Sequence, residues 1–532
     1  MIYDLEQDPD ALPAHVNLCI VGSGPAGISL ALRLLQKNPD LKVALLEGGG
    51  RAPSSLSQEL YEGKSIGFPQ HDLQAARVRS LGGTSNLWSG WCNRLSPDDF
   101  EGKSWIKDSA WPINYKHIQP YYKSAYEFFG VDPQGNVSDN NYAHNPALKA
   151  LDNSRVRSIF MQHSFPAMNV GQEYEAQIAK SRALNLYLNA NVTNVNLTEA
   201  GTKVRSIKVT PSHQERSYAI SADNYVLACG GVENARILLS STDINSKGVG
   251  NDNDCVGRYF IDHLHSWNAG IHEFSGRNKS HYLKFSDYKG KKVTLGITPT
   301  YELRRNMELN NTVGYFSYFS ESHSNARFQQ LEDAKELKRL VQSREVKEEV
   351  AIRAFGTLRD LDSLILKLRR DALATPKQTR KSAITLTMYA EQAPNRNSRI
   401  QLSEETDRLG IPKPILNWQI AEQDYRSIRQ STLLIASELA KAGICRVQLH
   451  RWLAQEESSW PGYLISSRHP MGTTRMASSP KTGVVDANCR VHGVNNLYLS
   501  GSSVFPTGGY ANPTLTIVAL SQRLADHLSS DV

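Results

Sequence analysis

Residues 16–37 read VNLCIVGSGPAGISLALRLLQK. The apolar run VNLCIV leads straight into GSGPAG, and ISLALRLLQK then carries its apolar residues at helical spacing. LKVALLE, residues 41–47, follows as a second apolar, strand-like run. The order strand, glycine turn, helix, strand is a βαβ unit closed within about thirty residues. Gly22, Gly24 and Gly27 stand in G-x-G-x-x-G register at the turn. The first glycine permits the tight turn, the second lets backbone approach a pyrophosphate, and the third lets the helix pack on the sheet. Free N–H groups at the helix N-terminus then face the phosphates. Glu47 ends the second strand, 20 residues after Gly27, where an acid accepts hydrogen bonds from a ribose 2′-hydroxyl. These features predict a dinucleotide site, without choosing between NAD and FAD.

The same pattern recurs far along the chain. YVLACGG (225–231) is an apolar strand before the helix-like VENARILLSS, and NNLYLSGS (495–502) precedes a glycine–proline turn and the helix-like LTIVALSQRLADHL (515–528). The three pieces predict one nucleotide-binding domain assembled from distant segments: 1–105, 185–265 and 460–532. NVTNVNLT, HSWNAGIHEF, VTLGITPTYEL and SAITLTMYAEQ resemble strands, and DAKELKRLVQSREVKEEVAIRAF (333–355) reads as a charged helix. Residues 106–184 and 266–459 are expected to form a second domain of sheet and helices. There is no internal repeat.

Bulk properties narrow the function classes. A chain of 532 residues, 40% hydrophobic and 21% charged, has the composition of an ordinary globular protein. The net charge of +7 is spread along the chain without the clustered basic residues and interleaved aromatics of a nucleic-acid footprint. The six cysteines, Cys19, Cys92, Cys229, Cys255, Cys445 and Cys489, have no metal-ligand spacing. The start, MIYDLEQDPDALPAH, lacks a basic-then-apolar signal pattern, and no apolar run reaches the roughly 18 residues of a membrane span. The expectations are no metal, no nucleic acid, no membrane span and a cytoplasmic location.

Further motifs choose the cofactor. VGSGPAG with LLEGG, RVRSLGGTSNLWSGWCNRL (77–95), WPINY with IQPYY (111–122), VLACGGVENARILLSS (226–241), GRYFIDH (257–263), EQAPNRNSRIQLSEETDRLGIPK (391–413) and the block from His469 to Thr514 occur in this order. On these residues the chain resembles the glucose–methanol–choline (GMC) family of FAD-dependent oxidoreductases over nearly its whole length. Residues 300–380 carry little of the resemblance. It implies a fold of α/β plus α+β class, with a Rossmann-like FAD-binding domain assembled from discontinuous segments and a substrate-binding domain built on an antiparallel sheet. It implies FAD with its adenine end on Gly22, Gly24, Gly27 and Glu47, and Val192 with its backbone at the adenine. The run Gly82, Gly83, Thr84, Asn86, Leu87 and Trp88 is placed along the isoalloxazine, with Gly501, Ser502, Asn512, Pro513 and Thr514 also on the cofactor. Ser502 and Ser503 stand where relatives often carry an acid near the pyrophosphate. Some relatives bind flavin covalently through a histidine just before the tryptophan of this run. Leu87 occupies that position, so FAD is expected to be non-covalent.

Alcohol oxidation removes a hydroxyl proton and a hydride from the adjacent carbon. Histidine is the natural base for the first and flavin N5 the acceptor for the second. His469 matches the histidine of the family's catalytic pair and Asn512 its second member. Asparagine donates a hydrogen bond but exchanges no proton near neutral pH, so His469 is the base. Gly472 and the Asn512–Pro513 turn are expected to bring both side chains to the ring face, while His263 and His265 have structural or supporting roles. The pair and the GGYANPT ending look closest to the pyranose-oxidase-like branch, which implies a secondary hydroxyl of a sugar or glycoside. Oxidation of a non-sugar alcohol in biosynthesis and a flavin-dependent lyase on the same fold are the alternatives. The electron acceptor is left open among oxygen, a quinone and a redox protein, and an oligomer is possible.

Overall fold

The computed structural model describes residues 1–68, 73–132, 151, 154–212, 216–274, 286–288, 291–319, 383–449, 453 and 464–530. The charged helix expected over 333–355 lies outside these residues.

Three sheets organise the chain. In the first, Ile2–Asp4, Leu184–Leu188, Val43–Leu46, His15–Val21, Tyr218–Leu227 and Leu497–Leu499 run parallel in that order. Val43–Leu46 is buried at every residue, and His15–Val21 is buried over its last four. Burial on both faces explains why these strands read as continuous apolar runs instead of alternating. Val204–Pro211 and Ala190–Leu197 extend the sheet antiparallel beyond Tyr218–Leu227. The register pairs Val21 with both Leu46 and Leu227, and Leu227 with Leu499. Four strand ends therefore finish level, and the turns after them open at one edge of the sheet.

Three helices follow those strand ends: Pro25–Lys37, Gly230–Ser240 and Thr514–Ser530. Pro25 pre-sets the first turn of its helix, where a missing N–H does no harm. Pro25–Lys37 packs along Thr514–Ser530, and a bidentate Arg33–Asp526 pair at 2.8 and 3.0 Å joins them. Tyr115–Phe128 also packs on Thr514–Ser530, where Tyr122 Oη lies 3.0 Å from Thr516 Oγ1.

The second sheet is antiparallel throughout. Its order is Cys445–Leu449, Leu264–Phe274, Ala383–Ala390, Thr312–Phe319, Lys291–Pro299, Val156–His163 and Trp91–Cys92. Leu464–Ser466 adds to Leu264–Phe274, and Ser286–Tyr288 to Lys291–Pro299. Side chains alternate between its faces. Leu386, Met388 and Phe316 pack with Leu434, Ile435 and Leu439 of the helix Glu422–Lys441. Thr387, Tyr389 and Tyr315 point the other way, and that face becomes important below.

One expected strand ends differently. The TYEL end of VTLGITPTYEL is helical over Tyr301–Asn306, because Thr300 caps it by accepting Leu303 N–H at 3.4 Å. NVTNVNLT, read as a strand within the segment 185–265, joins the first sheet through Ala190–Leu197. The third sheet pairs Arg399–Thr406 antiparallel with Pro412–Trp418, and the latter parallel with Lys64–Gly67. It thus stitches together segments on opposite sides of the expected domain division.

Candidate active site

The glycine turn opens where the strand ends converge. Gly22 has φ +103°, and a Cβ there would lie 2.6 Å from Ala228 O, so only glycine fits. At Gly27 a Cβ would lie 1.9 Å from Gly22 O, which keeps the helix tight against the strand. Gly24 is different: its φ is −75°, and a Cβ would meet nothing within 4 Å. Gly230 likewise has open space before it. The Gly82–Gly83 turn comes in from the side, a Cβ on Gly83 lying 3.1 Å from Gly24 Cα. Gly501 faces Gly230, its Cβ position 3.9 Å from Gly230 Cα. Backbone without side chains therefore borders an open cradle at the edge of the sheet.

Glu47 is buried beside this cradle. Ser23 donates to its Oε2 from N–H at 3.2 Å and from Oγ at 2.6 Å, while Gly49 N–H reaches Oε1 at 2.9 Å. A cavity of about 60 Å³ adjoins it, lined by Gly22, Glu47, Val192, Tyr61, Arg79 and Arg236 among others. Val192 and Glu47 both line this cavity. The last three residues were not foreseen. Asn234 was also missed: its Oδ1 accepts Cys229 N–H at 2.8 Å, and its Nδ2 donates to Ser500 O at 3.2 Å and Ser503 Oγ at 2.9 Å. One buried amide holds the turns after two different strands together.

The remaining expected cofactor residues divide into two groups. Asn86 is fixed by its own turn, donating to Gly83 O at 2.7 Å and Leu81 O at 3.1 Å, and Thr84 Oγ1 accepts Val78 N–H at 3.4 Å. Trp88 Nε1 donates to Met168 O at 2.7 Å and its ring packs on Phe129. Leu87 beside it is 57% exposed, an unusual setting for leucine. Ser502 Oγ donates to Pro470 O at 2.8 Å, so that hydroxyl ties two loops together. Thr514 begins the helix after Pro513, whose carbonyl accepts Ile517 N–H at 2.8 Å.

His469 and Asn512 come together across 43 residues, with Asn512 Nδ2 3.4 Å from His469 Nε2. A short antiparallel bridge, Ile261 to Met471, sets the loop of His469 beside that of His263. The Asp262 carboxylate clamps both: its Oδ1 accepts His263 N–H at 2.7 Å and His469 N–H at 2.9 Å. Ser466 Oγ donates to its other oxygen. Gly472 has φ +83° and would set a Cβ 2.3 Å from Tyr259 O, so the turn after the histidine demands glycine. Arg468, just before His469, also adopts the left-handed region at φ 62°. Burial pushes the His469 imidazole well below its ordinary 6.5, with the neighbouring His263 and His265 adding to the shift. The ring is therefore neutral, and free to accept a proton, at ordinary pH.

His263 touches His469 directly, with Nδ1 to Nδ1 at 2.9 Å. His265 stands one layer back, its Nε2 3.4 Å from Tyr315 Oη, and burial pushes it down to about 3. Tyr389 lies between them, its ring centroid 4.6 Å from His265 and 6.5 Å from His469. Trp91, stacked on Tyr389 at 6.3 Å and tilted against Tyr315 at 5.5 Å, extends the same surface. This aromatic wall lies on the face of the second sheet turned away from the helix Glu422–Lys441. Its residues come from three strands, and the alternation of each strand was the only sequence signal for it.

Among the described residues, no group of histidine, cysteine, aspartate and glutamate is arranged to hold a metal ion, and no helix is long and apolar enough to cross a membrane. All six cysteines are free.

Comparison with known proteins adds the family. Residues 43–265 and 394–521 match the N-terminal and C-terminal models of GMC oxidoreductase. The 6'''-hydroxyparomomycin C oxidase of Streptomyces lividus is 23% identical over 97% of this chain and 92% of its own. The large subunit of fructose dehydrogenase from Gluconobacter japonicus is 22% identical over 86% and 81%. Pyridoxine 4-oxidase from Mesorbium loti shares the fold at a TM-score of 0.57 and 18% identity, over 96% of this chain and 99% of its own. The convergent glycine turns, the antiparallel sheet and these matches agree: the chain belongs to the GMC oxidoreductases, enzymes acting on CH–OH groups, and membership implies a flavin, FAD.

Proposed function

We propose that this protein oxidises a hydroxyl group of a sugar or glycoside, with His469 as the base and FAD held non-covalently. The observation that carries the reading is the meeting of His469 Nε2 and Asn512 Nδ2 at 3.4 Å beside the aromatic wall. A substrate hydroxyl set between them gives its proton to Nε2 while its oxygen accepts from Nδ2. Such positioning fixes the reacting C–H bond as well as the O–H bond.

The residues present fit FAD. Gly22, Gly24, Gly83, Gly230 and Gly501 leave bare backbone where phosphates need close approach, and Glu47 and Val192 border the neighbouring cavity. The isoalloxazine end is assigned to the Gly82–Trp88 turn, with Gly501, Ser502, Asn512, Pro513 and Thr514 opposite. Bound there, FAD supplies the acceptor for the hydride. His469 holds the abstracted proton, Asn512 orients the oxygen, and Trp91, Tyr315 and Tyr389 offer flat apolar faces to the C–H face of a ring sugar. Segments 1–105, 185–265 and 460–532 are assigned to the cofactor and 106–184 with 266–459 to the substrate. The sugar reading draws support from the fructose dehydrogenase and paromomycin-type oxidase among the relatives. A secondary hydroxyl, as in the pyranose-oxidase-like branch, is the first position to test.

Anaerobic titration of the yellow holoprotein with sugars, glycosides and simple alcohols tests this. Stoichiometric bleaching by a sugar, with a ketone product, is the expected result. An aldehyde product moves oxidation to a primary hydroxyl, and bleaching by non-sugar alcohols alone overturns the substrate class. Turnover without bleaching identifies a lyase. A separate expectation follows from Leu87, which has no atom able to bond flavin covalently. Acid precipitation should leave the yellow chromophore in the supernatant, and colour retained in the pellet would refute non-covalent binding.

A further inference from the structure

We infer that His263 is a positioning residue that fixes the tautomer of His469, keeping its proton on Nδ1 and its Nε2 lone pair toward Asn512. The inference rests on the reading of His469 as the base. It starts from two backbone carbonyls: His263 Nε2 lies 2.9 Å from Gly509 O and 3.2 Å from Gly508 O. Carbonyls only accept, so His263 Nε2 carries a hydrogen. A neutral imidazole protonated there has a lone pair on Nδ1, and His263 is kept neutral by its burial, which lowers its pKa. That lone pair faces His469 Nδ1 at 2.9 Å. Two lone pairs at this distance repel, so His469 Nδ1 must hold a proton and donate it. Neutral His469 then has its other nitrogen free of hydrogen, and this is the atom that meets Asn512 Nδ2.

The backbone maintains the arrangement. Asp262 accepts the N–H of both histidines, and the rings stand edge to face at 84°. Gly508 has no room for growth, because a Cβ there would lie 2.8 Å from Met471 Cε and 3.2 Å from His263 Nε2. Other titratable groups face the pair: Tyr389 and His265 from the second sheet, the Asp262 carboxylate from below, and Glu391 acting on His263 through its charge. None of them displaces a carbonyl from His263 Nε2, so none changes which nitrogen is protonated. When His469 takes a proton on Nε2, its Nδ1–H keeps the same acceptor, and the imidazolium formed is already hydrogen-bonded.

The experiment reads the tautomer directly. Holoprotein labelled with 15N-histidine is examined by long-range 1H–15N correlation, with the His469 signals assigned by their loss in His469→Ala. The expected pattern is a protonated Nδ1 and an unprotonated Nε2 on His469, at a pH above its titration. A protonated Nε2 overturns the inference even if His469→Ala is slow, in which case the base assignment survives. If His469→Ala reduces flavin at the full rate, the base assignment falls while the tautomer stands. His263→Phe removes the acceptor and keeps a ring; it should slow anaerobic flavin reduction by roughly 10- to 100-fold. His263→Asn places an amide oxygen near the lost Nδ1 and should recover most of that loss. Equal losses in both variants would reduce His263 to a packing role. Should either variant fail to fold, the wild-type tautomer alone decides.

Discussion

Anaerobic flavin reduction by a confirmed substrate is expected to slow by roughly 10²–10⁴-fold in His469→Ala, the usual worth of a positioned general base. The variant should still purify yellow, because the side chain hydrogen-bonds to Asn512 and His263 and supplies chemistry instead of the backbone approach that holds the cofactor. Asn512→Ala should lose less, since it removes a hydrogen bond and no proton acceptor, and Asn512→His should retain part of the activity. The pH profile carries its own sign. A base whose pKa is lowered is neutral, and active, above that pKa and is lost as pH falls through it. Burial and two neighbouring histidines lower His469 from 6.5, so the reduction rate should be flat through neutrality and fall only on the acid side of 6.5. Stopped-flow measurement isolates this step from reoxidation. Unchanged reduction in His469→Ala across the pH range would remove it as the base.

The second large effect is loss of cofactor in Gly24→Val. At most glycines of the turn a new side chain damages the fold first: Gly22 needs its positive φ, and a Cβ at Gly27 strikes Gly22 O. Gly24 has an ordinary φ of −75° and open space where its Cβ would lie. Valine there should leave the sheet and helix intact while filling the volume reserved for phosphate oxygens. The protein should purify largely colourless, with an unchanged circular dichroism spectrum. Full flavin occupancy in a folded variant would show that the pyrophosphate lies elsewhere.

The parts legible in the sequence were those whose cause is local. GSGPAG dictates its own turn, because Gly22 answers the end of the adjacent strand and Gly27 answers Gly22, while Gly24 leaves open space. The helices Pro25–Lys37, Gly230–Ser240 and Thr514–Ser530 were likewise written in apolar spacing. His469 and Asn512 were reached through family resemblance; as bare residues, His before Pro-Met-Gly and Asn before Pro read as ordinary turns. What the sequence hid is long-range. The contact of His263 with His469 spans 206 residues and depends on the Ile261–Met471 bridge. Nothing local marks Asn234, which sits in its helix beside Glu233 and Arg236, although its amide binds turns from distant strands. The misread TYEL shows the opposite failure: alternation suggested a strand, and a single capping threonine decided for a helix.

Four strand ends finishing level have a consequence for biosynthesis. The turns that border the cofactor cradle follow Val21, Leu46, Leu227 and Leu499, so the first two leave the ribosome long before the last. At about 5–20 residues per second, a nascent chain spends many seconds with half a cradle. Tyr218–Leu227 can dock onto His15–Val21 early, but Gly501 and the Asn512–Thr514 turn cannot be present until late. On the proposed assignment of Gly501 and the Asn512–Thr514 turn to the cofactor, flavin loading should be a late event in the life of each molecule. It also links segments that translation keeps apart, so flavin supply should govern how many newly made chains reach the mature state, since a ligand held only by the folded form draws the equilibrium toward it.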